Sequence, residues 1–181
     1  MKVVETKLKG CFLIEPRVFT DDRGYFFESF NERDFQQAIG AAVHFVQDNQ
    51  SFSKKGVIRA LHYQMGEFAQ AKLVRVLQGR VLDVAVDLRH GSPTFGQHIS
   101  VELSSDNKKQ LFIPRGFAHG FAVLSDSAEF FYKCDNYYHA ASEGGIHYND
   151  PDLGIDWKVL EGDRILSERD ATLPRLINAR L

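Results

Sequence analysis

Apolar residues recur in short runs along most of the chain, and the clearest run alternates with period two. Between positions 81 and 88, large aliphatic residues occupy every second position, which are Leu82, Val84, Val86 and Leu88. Asp83, Ala85 and Asp87 lie between them. This alternation is typical of a β-strand, because successive side chains of a strand point to opposite faces. Similar runs predict strands over 24–30, 72–77, 99–103, 110–113 and 128–133.

Turn-forming residues separate these runs at 78–80, 91–93, 104–107, 114–116 and 125–127. Many short strands with regularly spaced turns are typical of an antiparallel sandwich or barrel. The pattern also predicts one early helix, because Asn31 is a suitable N-cap and Phe35 and Ile39 lie one turn apart before Gly40. From Ala140 onward the signals are mixed, and we expect this part to wrap around the barrel with one or two short helices.

Composition narrows the class of protein. The chain has 181 residues, 44% of them hydrophobic, which predicts a single domain over 1–181 with a sizeable core. The net charge of -2 does not favour nucleic-acid binding. No run has the length of a signal-peptide core or a membrane span. With only Cys11 and Cys134 present, we expect a cytoplasmic protein with reduced thiols and no membrane association.

Several charged or titratable side chains occur within or beside the apolar strands. They are Arg59, His62, Lys72, His119 and Tyr132. One such side chain in a strand is unremarkable in itself, but several together predict a polar cavity inside the barrel. A neutral imidazole can take a proton and an ammonium can stabilise the negative charge that results, which favours proton abstraction next to a carbonyl. Strict alternation would separate Arg59 from His62, so a shared cavity requires a bulge or a strand end between them.

Each of these residues also has a structural explanation. His62 and Tyr132 could be core residues, and Lys72 could be an edge-strand lysine whose amine reaches solvent. Asp170 could cap a helix, since Ser167-x-x-Asp170 resembles a capping box. The adjacent Tyr137 and Tyr138 suit either packing or stacking on a ligand. A metal site could draw on His44, His62, Glu67 and His119.

A series of motifs in one order resembles the dTDP-4-dehydrorhamnose 3,5-epimerase family, over nearly the whole chain. The matching segments are 22–24 with 26–28, 47–51, 56–64, 70–76, 91–96, 113–121, 132–134, 143–145, 150–151, 154–157 and 166–170. The resemblance implies an all-β cupin jelly roll. Cupins commonly bind a metal, and this chain keeps Gly56-x5-His62 and Pro114-x-Gly116-x2-His119 of that pattern. It carries Gln64 and Lys72 where cupins commonly have His and Glu, so the resemblance implies neither metal nor cofactor.

The resemblance also implies a reaction, the epimerisation of dTDP-4-dehydro-6-deoxy-D-glucose at C3 and C5 to dTDP-4-dehydro-L-rhamnose. His62, oriented by Asp170, would be the base. Tyr132 would donate the proton on the opposite face, and Lys72 would stabilise the enolate. An epimerase of a related sugar that acts at C3 alone, a metal-dependent cupin enzyme and a non-catalytic sugar-binding jelly roll are the alternatives.

Further positions match substrate contacts of the family. Arg23 and Arg59 would bind the pyrophosphate, and Tyr138 would stack on thymine. The other matches are Glu28, Gln47, Asp48, Asn49, His119, Glu143 and Arg169. Position 169 is commonly Lys in the family, so Arg169 keeps the charge with a different geometry. The family also implies a homodimer with exchanged N-terminal strands, which would place Arg23 and Glu28 in the neighbouring site.

Overall fold

The computed structural model describes residues 1–181. It contains thirteen strands and two short α-helices, which in chain order are β1 (Lys2–Glu5), β2 (Phe12–Glu15), β3 (Phe19–Asp21), β4 (Gly24–Phe26), α1 (Glu32–Ile39), β5 (Gln47–Lys54), β6 (Ile58–Gln64), β7 (Lys72–Gln78), β8 (Arg80–Asp87), β9 (His98–Ser104), β10 (Gln110–Ile113), β11 (Phe117–Val123), β12 (Ser127–Cys134), β13 (Glu143–Gly145) and α2 (Glu168–Ala171). No helix has the length and hydrophobicity needed to cross a membrane.

The strands form two antiparallel sheets and a separate hairpin. One sheet has the order β1-β2-β10-β7-β12-β5, and the other has the order β13-β6-β11-β8-β9. Strands β3 and β4 pair only with each other. A buried apolar cluster that includes Val74, Val81, Leu103, Leu111 and Phe130 combines residues of both sheets. The predicted all-β jelly roll is therefore confirmed.

Five of the six strands predicted from alternation are present within one or two residues of the expected ends. The prediction over 24–30 is wrong beyond Phe26, where the hairpin strand ends. Beyond it, the Ser29 carbonyl accepts a hydrogen bond from Gln110 Nε2 at 2.8 Å, and Phe30 packs against Phe35 and Phe45. These contacts with the sheet and with α1 replace strand pairing in this segment.

The predicted early helix is confirmed as α1. Asn31 caps it, because its side-chain oxygen accepts a hydrogen bond from the Asp34 amide at 3.3 Å. Gly40 ends the helix with φ of 69°, a left-handed conformation that glycine adopts without strain. Phe35 and Ile39 are buried against the outer face of the six-stranded sheet, beside Phe112. The helix is therefore held by packing of its apolar side on the sheet.

The C-terminal part covers the other sheet. Leu82, Val84 and Val86 of β8 pack with Ile146 and Trp157 in a second apolar cluster. Both faces of β8 are consequently buried, and Asp83 and Asp87 point to the interior with no exposed surface. The expected wrapping with short helices is confirmed, and it brings α2 against β6.

A bulge in β6 changes the direction of its side chains. His119 of β11 is paired with His62, whereas Phe121, two residues later, is paired with Arg59, three residues earlier. Strand β6 therefore contains one extra residue at this point. Gly120 faces the bulge, and a Cβ atom there would lie 2.6 Å from Ala60 Cβ and 2.7 Å from the Arg59 carbonyl oxygen. Only a residue without a side chain fits against the bulged strand.

Candidate active site

A polar cavity of about 420 Å³ opens at one end of the barrel, between the two sheets. It is lined by ten of the residues that the sequence singles out, which are Asn49, Arg59, His62, Lys72, His119, Tyr132, Tyr138, Glu143, Arg169 and Asp170. Of the two alternatives that a shared cavity required, a bulge or a strand end, the structure contains the bulge, and Arg59 and His62 line the same cavity in spite of their odd spacing. The predicted polar cavity within the barrel is thus present.

His62 and Asp170 form a close pair in this cavity. His62 Nε2 lies 2.7 Å from Asp170 Oδ1, and the side chain of Asp170 is only 6% exposed. An ionised carboxylate only accepts hydrogen bonds, so Nε2 carries the ring proton and donates a hydrogen bond to Asp170. The lone pair of a neutral His62 ring therefore resides on Nδ1, which makes no hydrogen bond within the chain. A base with this orientation can take a proton from a molecule in the cavity.

Asp170 takes part in one half of the capping box that its sequence motif suggested. Its backbone amide donates to Ser167 Oγ at 3.0 Å, which caps α2. Burial opposes ionisation of its carboxyl group. Hydrogen bonds from His62 and from the Ala60 backbone, together with the positive charge of neighbouring groups such as Arg169, nevertheless hold its pKa below the usual range. The cap fixes the helix, and the helix presents the carboxylate to His62. The Ser167 cap therefore forms through the Asp170 amide, while the Asp170 carboxylate contacts His62 instead of the Ser167 amide.

Lys72 extends into the cavity from the first position of β7. Its Nζ forms no ion pair or hydrogen bond within the chain, and it lies 5.7 Å from the centre of the Tyr132 ring. Burial disfavours the ammonium and lowers its pKa, while Cys134, Asp83 and Glu143 act in the opposite direction. An ammonium without a carboxylate partner is available to an oxygen atom that becomes negative during a reaction.

Tyr132 lies on β12 and is partly buried. Its hydroxyl group makes no hydrogen bond within the chain, and its ring packs beside Phe130 with 6.1 Å between the centres. Burial raises the pKa of the phenol, the Cys134 side chain adds to this, and the charge of Arg59 opposes it. The phenol therefore keeps its proton at neutral pH, as a proton donor must.

Three side chains form a network at the rim of the cavity. Tyr138 Oη donates to Glu143 Oε2 at 2.8 Å, and Arg169 contacts Glu143 Oε1 at 2.7 Å. Burial of Glu143 raises the pKa of its carboxyl group, but hydrogen bonds from Arg169 and Tyr138 hold that pKa below its usual range. Because Arg169 adjoins Asp170, this network joins the rim to the helix that carries Asp170. Tyr137, the other tyrosine of the pair, is 65% exposed and does not line the cavity.

Four predicted substrate contacts lie outside this cavity. Gln47 supports the rim from behind, since its Oε1 accepts a hydrogen bond from the Tyr138 amide at 3.1 Å. Asp48 points to the opposite face of β5, because strand alternation separates it from Asn49, and it pairs with Lys133 at 2.9 Å.

The other two belong to the region of the hairpin. Arg23 lies in the turn between β3 and β4 and pairs with Asp21 at 2.6 Å. Glu28 lines a separate cavity of about 320 Å³ beside Phe26 and Phe30. Neither residue reaches the cavity of its own chain. Their role in a neighbouring subunit's site stays a prediction.

Some lining residues were not predicted. They are Gln50, Ser51, Tyr63, Gln64, Gln70, Gly120, Phe121, Phe130 and Ser167. Period-two alternation from Asn49 would have identified Ser51. Gln64 Oε1 accepts a hydrogen bond from the His139 amide at 2.9 Å, a contact between distant segments that no local pattern indicates.

The candidate metal ligands are not gathered at one point. No group of three or more His, Cys, Asp and Glu side chains has an arrangement that could hold a metal ion. His44 lies on the surface and contacts Glu32 at 2.8 Å. His119 Nε2 lies 2.8 Å from Asp83 Oδ2, in the interior.

Comparisons with known proteins agree with this geometry. The family model described as dTDP-4-dehydrorhamnose 3,5-epimerase matches residues 5–178. The dTDP-4-dehydrorhamnose 3,5-epimerase of Salmonella typhimurium is 54% identical over 181 residues, which cover 100% of this chain and 98% of that protein. The crystal structure of the enzyme of that name from Elizabethkingia anophelis has a TM-score of 0.95 and 57% identity, with 98% and 97% of the two chains covered.

A third relative was solved with a ligand. The dTDP-6-deoxy-D-glucose-3,5-epimerase of Legionella pneumophila, in complex with dTDP-4-keto-L-rhamnose, has a TM-score of 0.94 and 51% identity, covering 98% of this chain and 93% of that one. The sequence, the fold and the residues that line the cavity all lead to the same assignment. The chain belongs to the dTDP-4-dehydrorhamnose 3,5-epimerase family.

Proposed function

We propose that this protein epimerises dTDP-4-dehydro-6-deoxy-D-glucose at C3 and C5 to give dTDP-4-dehydro-L-rhamnose. The observation that carries the proposal is the presence of a base, an acid and an unpaired cation in one cavity. The base is His62 with Asp170 at 2.7 Å, the acid is Tyr132, and the cation is Lys72. The relative from Legionella pneumophila, solved with dTDP-4-keto-L-rhamnose, supports this substrate class.

The chemistry begins at the C4 ketone, which acidifies the hydrogens on C3 and C5. His62 Nδ1 takes a proton from the carbon, the C–H electrons form a carbon–carbon double bond to C4, and the C4 oxygen becomes an enolate. The ammonium of Lys72 stabilises that oxygen. Tyr132 then donates its proton to the opposite face of the same carbon, which inverts it. His62 releases its proton to solvent and Tyr132 takes one back, so the cycle repeats at the second carbon without a cofactor.

The remaining lining residues suit a nucleoside diphosphate. Arg59 presents a guanidinium that can bind phosphate oxygens, and its Nε already donates to Ser53 Oγ at 3.0 Å, which fixes its orientation. Tyr138 offers an exposed ring at the rim for stacking on thymine. Asn49, His119, Glu143 and Arg169 complete the proposed substrate contacts. Gln47 contributes by holding the Tyr138 backbone. Asp48 stays a proposed contact at the level of the backbone of β5, since its side chain points away from the cavity.

The proposal includes a homodimer in which the β3–β4 hairpin reaches the neighbouring subunit. Tyr25 and Phe26 of this hairpin are 60% and 70% exposed, which is unusual for large apolar side chains outside an interface. Arg23 at the hairpin turn would then serve the partner's site, with Glu28 close behind it. We also propose one domain over 1–181 and a cytoplasmic location, supported by the free, buried thiols of Cys11 and Cys134.

Proton NMR in deuterium oxide tests the function. With dTDP-4-dehydro-6-deoxy-D-glucose, the wild-type protein should incorporate deuterium at both C3 and C5, and His62→Ala should abolish this exchange. Exchange at C3 alone would indicate a 3-epimerase of a related sugar. Tight binding of dTDP without any exchange would indicate a binding protein. Stoichiometric iron, zinc or manganese in active protein would contradict the proposed metal-free mechanism.

A further inference from the structure

The carboxylate of Asp83 is not used by the mechanism described so far. Asp83 lies on β8, has no exposed surface, and places Oδ2 at 2.8 Å from His119 Nε2. Its other oxygen, Oδ1, is the one fully buried side-chain nitrogen or oxygen atom that has no hydrogen-bond partner in the chain. Buried polar atoms are nearly always paired, so this atom requires an explanation.

Asp87 provides a comparison on the same face of the same strand. It is also fully buried, but Arg89 donates to both of its oxygens, at 2.9 and 2.7 Å. Ser92 and Thr94 each donate to Oδ2 at 2.6 Å. Asp87 is therefore a fully paired structural carboxylate. Asp83 is a carboxylate with half of its acceptor capacity unused, and burial of such a group reduces stability.

The position of Asp83 relates it to two residues of the cavity. His119 lines the cavity and is paired in register with His62 on the neighbouring strand. Because Asp83 accepts the hydrogen bond from Nε2–H, Nδ1 of a neutral His119 carries the lone pair. Nδ1 makes no hydrogen bond within the chain, so it is the ring nitrogen available to a molecule in the cavity. A lone pair accepts a hydrogen bond from a hydroxyl group and offers nothing to a carbonyl oxygen.

The second residue is Lys72, whose ammonium is disfavoured by burial. Three nearby groups oppose that effect on its pKa, in the order Cys134, Asp83 and Glu143. Burial raises the pKa of the Cys134 thiol to about 11, and the phenol of Tyr132 beside Lys72 is likewise neutral at pH 7. Glu143 already forms an ion pair with Arg169 at the rim. Asp83 is thus the nearby carboxylate that has no arginine or lysine of its own, and it favours the charged form of Lys72 without forming an ion pair with it.

We propose that Asp83 is a positioning residue of this active site. Its carboxylate fixes the His119 ring so that Nδ1 accepts a hydrogen bond from a sugar hydroxyl group, and its charge keeps Lys72 as an ammonium facing the C4 oxygen. The proposal rests on the proposed epimerase function. It explains why a carboxylate stands where an uncharged residue would stabilise the core better.

Two matched variants test it, because Asp83 and Asp87 should respond in opposite ways. Asp83→Asn should melt no lower than the wild type, yet lose about tenfold or more in kcat, and the alkaline limb of its pH profile should move to lower pH as Lys72 loses its proton sooner. Asp87→Asn should melt at a lower temperature with kcat and pH profile unchanged. Wild-type kcat and pH profile in Asp83→Asn would overturn the proposal.

Nitrogen NMR of the wild-type protein tests the same proposal without a variant of Asp83. In its neutral form, and without substrate, the His119 ring should carry its proton on Nε2 and none on Nδ1, with His119→Gln used to assign the signal. A neutral ring protonated on Nδ1 would overturn the proposal. This readout does not depend on turnover, so failure of the wild type to exchange C3 and C5 hydrogens would contradict the proposed function alone.

Discussion

Asp170 Oδ1 lies 2.7 Å from His62 Nε2, although 108 positions separate the two residues in the chain. The carboxylate comes from the short helix α2 and the imidazole from the bulged strand β6. Neither residue has the required geometry by itself. The pair forms because the C-terminal part folds back over the outer face of the sheet that contains β6.

The first prediction concerns this pair. Asp170→Asn should reduce kcat by about 10²- to 10⁴-fold, because an amide no longer enforces the proton on Nε2 and the lone pair on Nδ1. Asp150→Asn is the matched control, since Asp150 is buried but bonds to the amides of Asp152 and Leu176 outside the cavity. The control should lower the melting temperature and leave kcat unchanged. Steady-state rates and thermal melting measure both, and equal kcat values in the two variants would refute the assigned role.

Lys72→Met should separate activity from stability. Loss of the cation should reduce kcat by about 10²- to 10³-fold, the usual effect of removing one group that stabilises an oxyanion. The melting temperature should change little, because the partly buried ammonium has no direct hydrogen bond or ion pair to lose, and its desolvation offsets its longer-range attraction to Asp83. Lys109→Met, which removes only a surface pair with Glu15 at 3.3 Å, should alter neither quantity by much. A strongly destabilised Lys72→Met would show that this lysine is a structural element.

Tyr132→Phe should separate exchange from inversion. His62 can still take a proton and return a deuteron to the same face, so some exchange should persist in deuterium oxide. Inversion should fall by about 10²-fold or more, because the donor on the opposite face is absent. Product analysis beside isotope analysis distinguishes the two processes. Tyr137→Phe, altered at an exposed tyrosine outside the cavity, should behave as wild type, and full inversion by Tyr132→Phe would exclude Tyr132 as the donor.

Gly120→Ala should disturb the site through the bulge. The added methyl group would overlap Ala60 and the Arg59 carbonyl oxygen, so β6 must move away from β11. We expect a loss of about 1–3 kcal/mol in unfolding free energy, as for other overpacked positions, together with a fall in activity. Gly162→Ala is the control, since nothing lies within 4 Å of a Cβ atom there. Unchanged stability in Gly120→Ala would mean that the strands separate at little cost.

Mixed dimers test whether Arg23 serves the neighbouring subunit. Arg23→Ala and His62→Ala should each be inactive or nearly so. After denaturation and refolding together, hybrid dimers should hold one intact site, so roughly one quarter of wild-type activity should return at equal amounts. If Arg23 acts within its own chain, every site in the mixture lacks one residue and no activity returns. Sedimentation of the mixture confirms that dimers formed.

Local pattern accounted for much of this site and long-range folding for the rest. Alternation located the strands that carry Lys72 and Tyr132. The odd spacing of Arg59 and His62 indicated a bulge or a strand end, and the structure contains a bulge. The same alternation, applied to β5, separates Asp48 from Asn49. The approach of Asp170 could not be predicted from its motif, because a capping box describes only the helix start. The unpaired oxygen of Asp83 depends on packing between sheets, which no local pattern describes.

The C-terminal covering of the barrel has a consequence for the catalytic base. The strands of the two sheets end at Gly145, whereas the partner of His62 and two further lining residues, Ser167 and Arg169, come only with α2 and its cap. Without this segment, the imidazole of His62 would have no carboxylate partner to fix its tautomer. The base is therefore complete only when the C-terminal segment lies on the sheet, so contacts far from the cavity contribute to the basicity of His62.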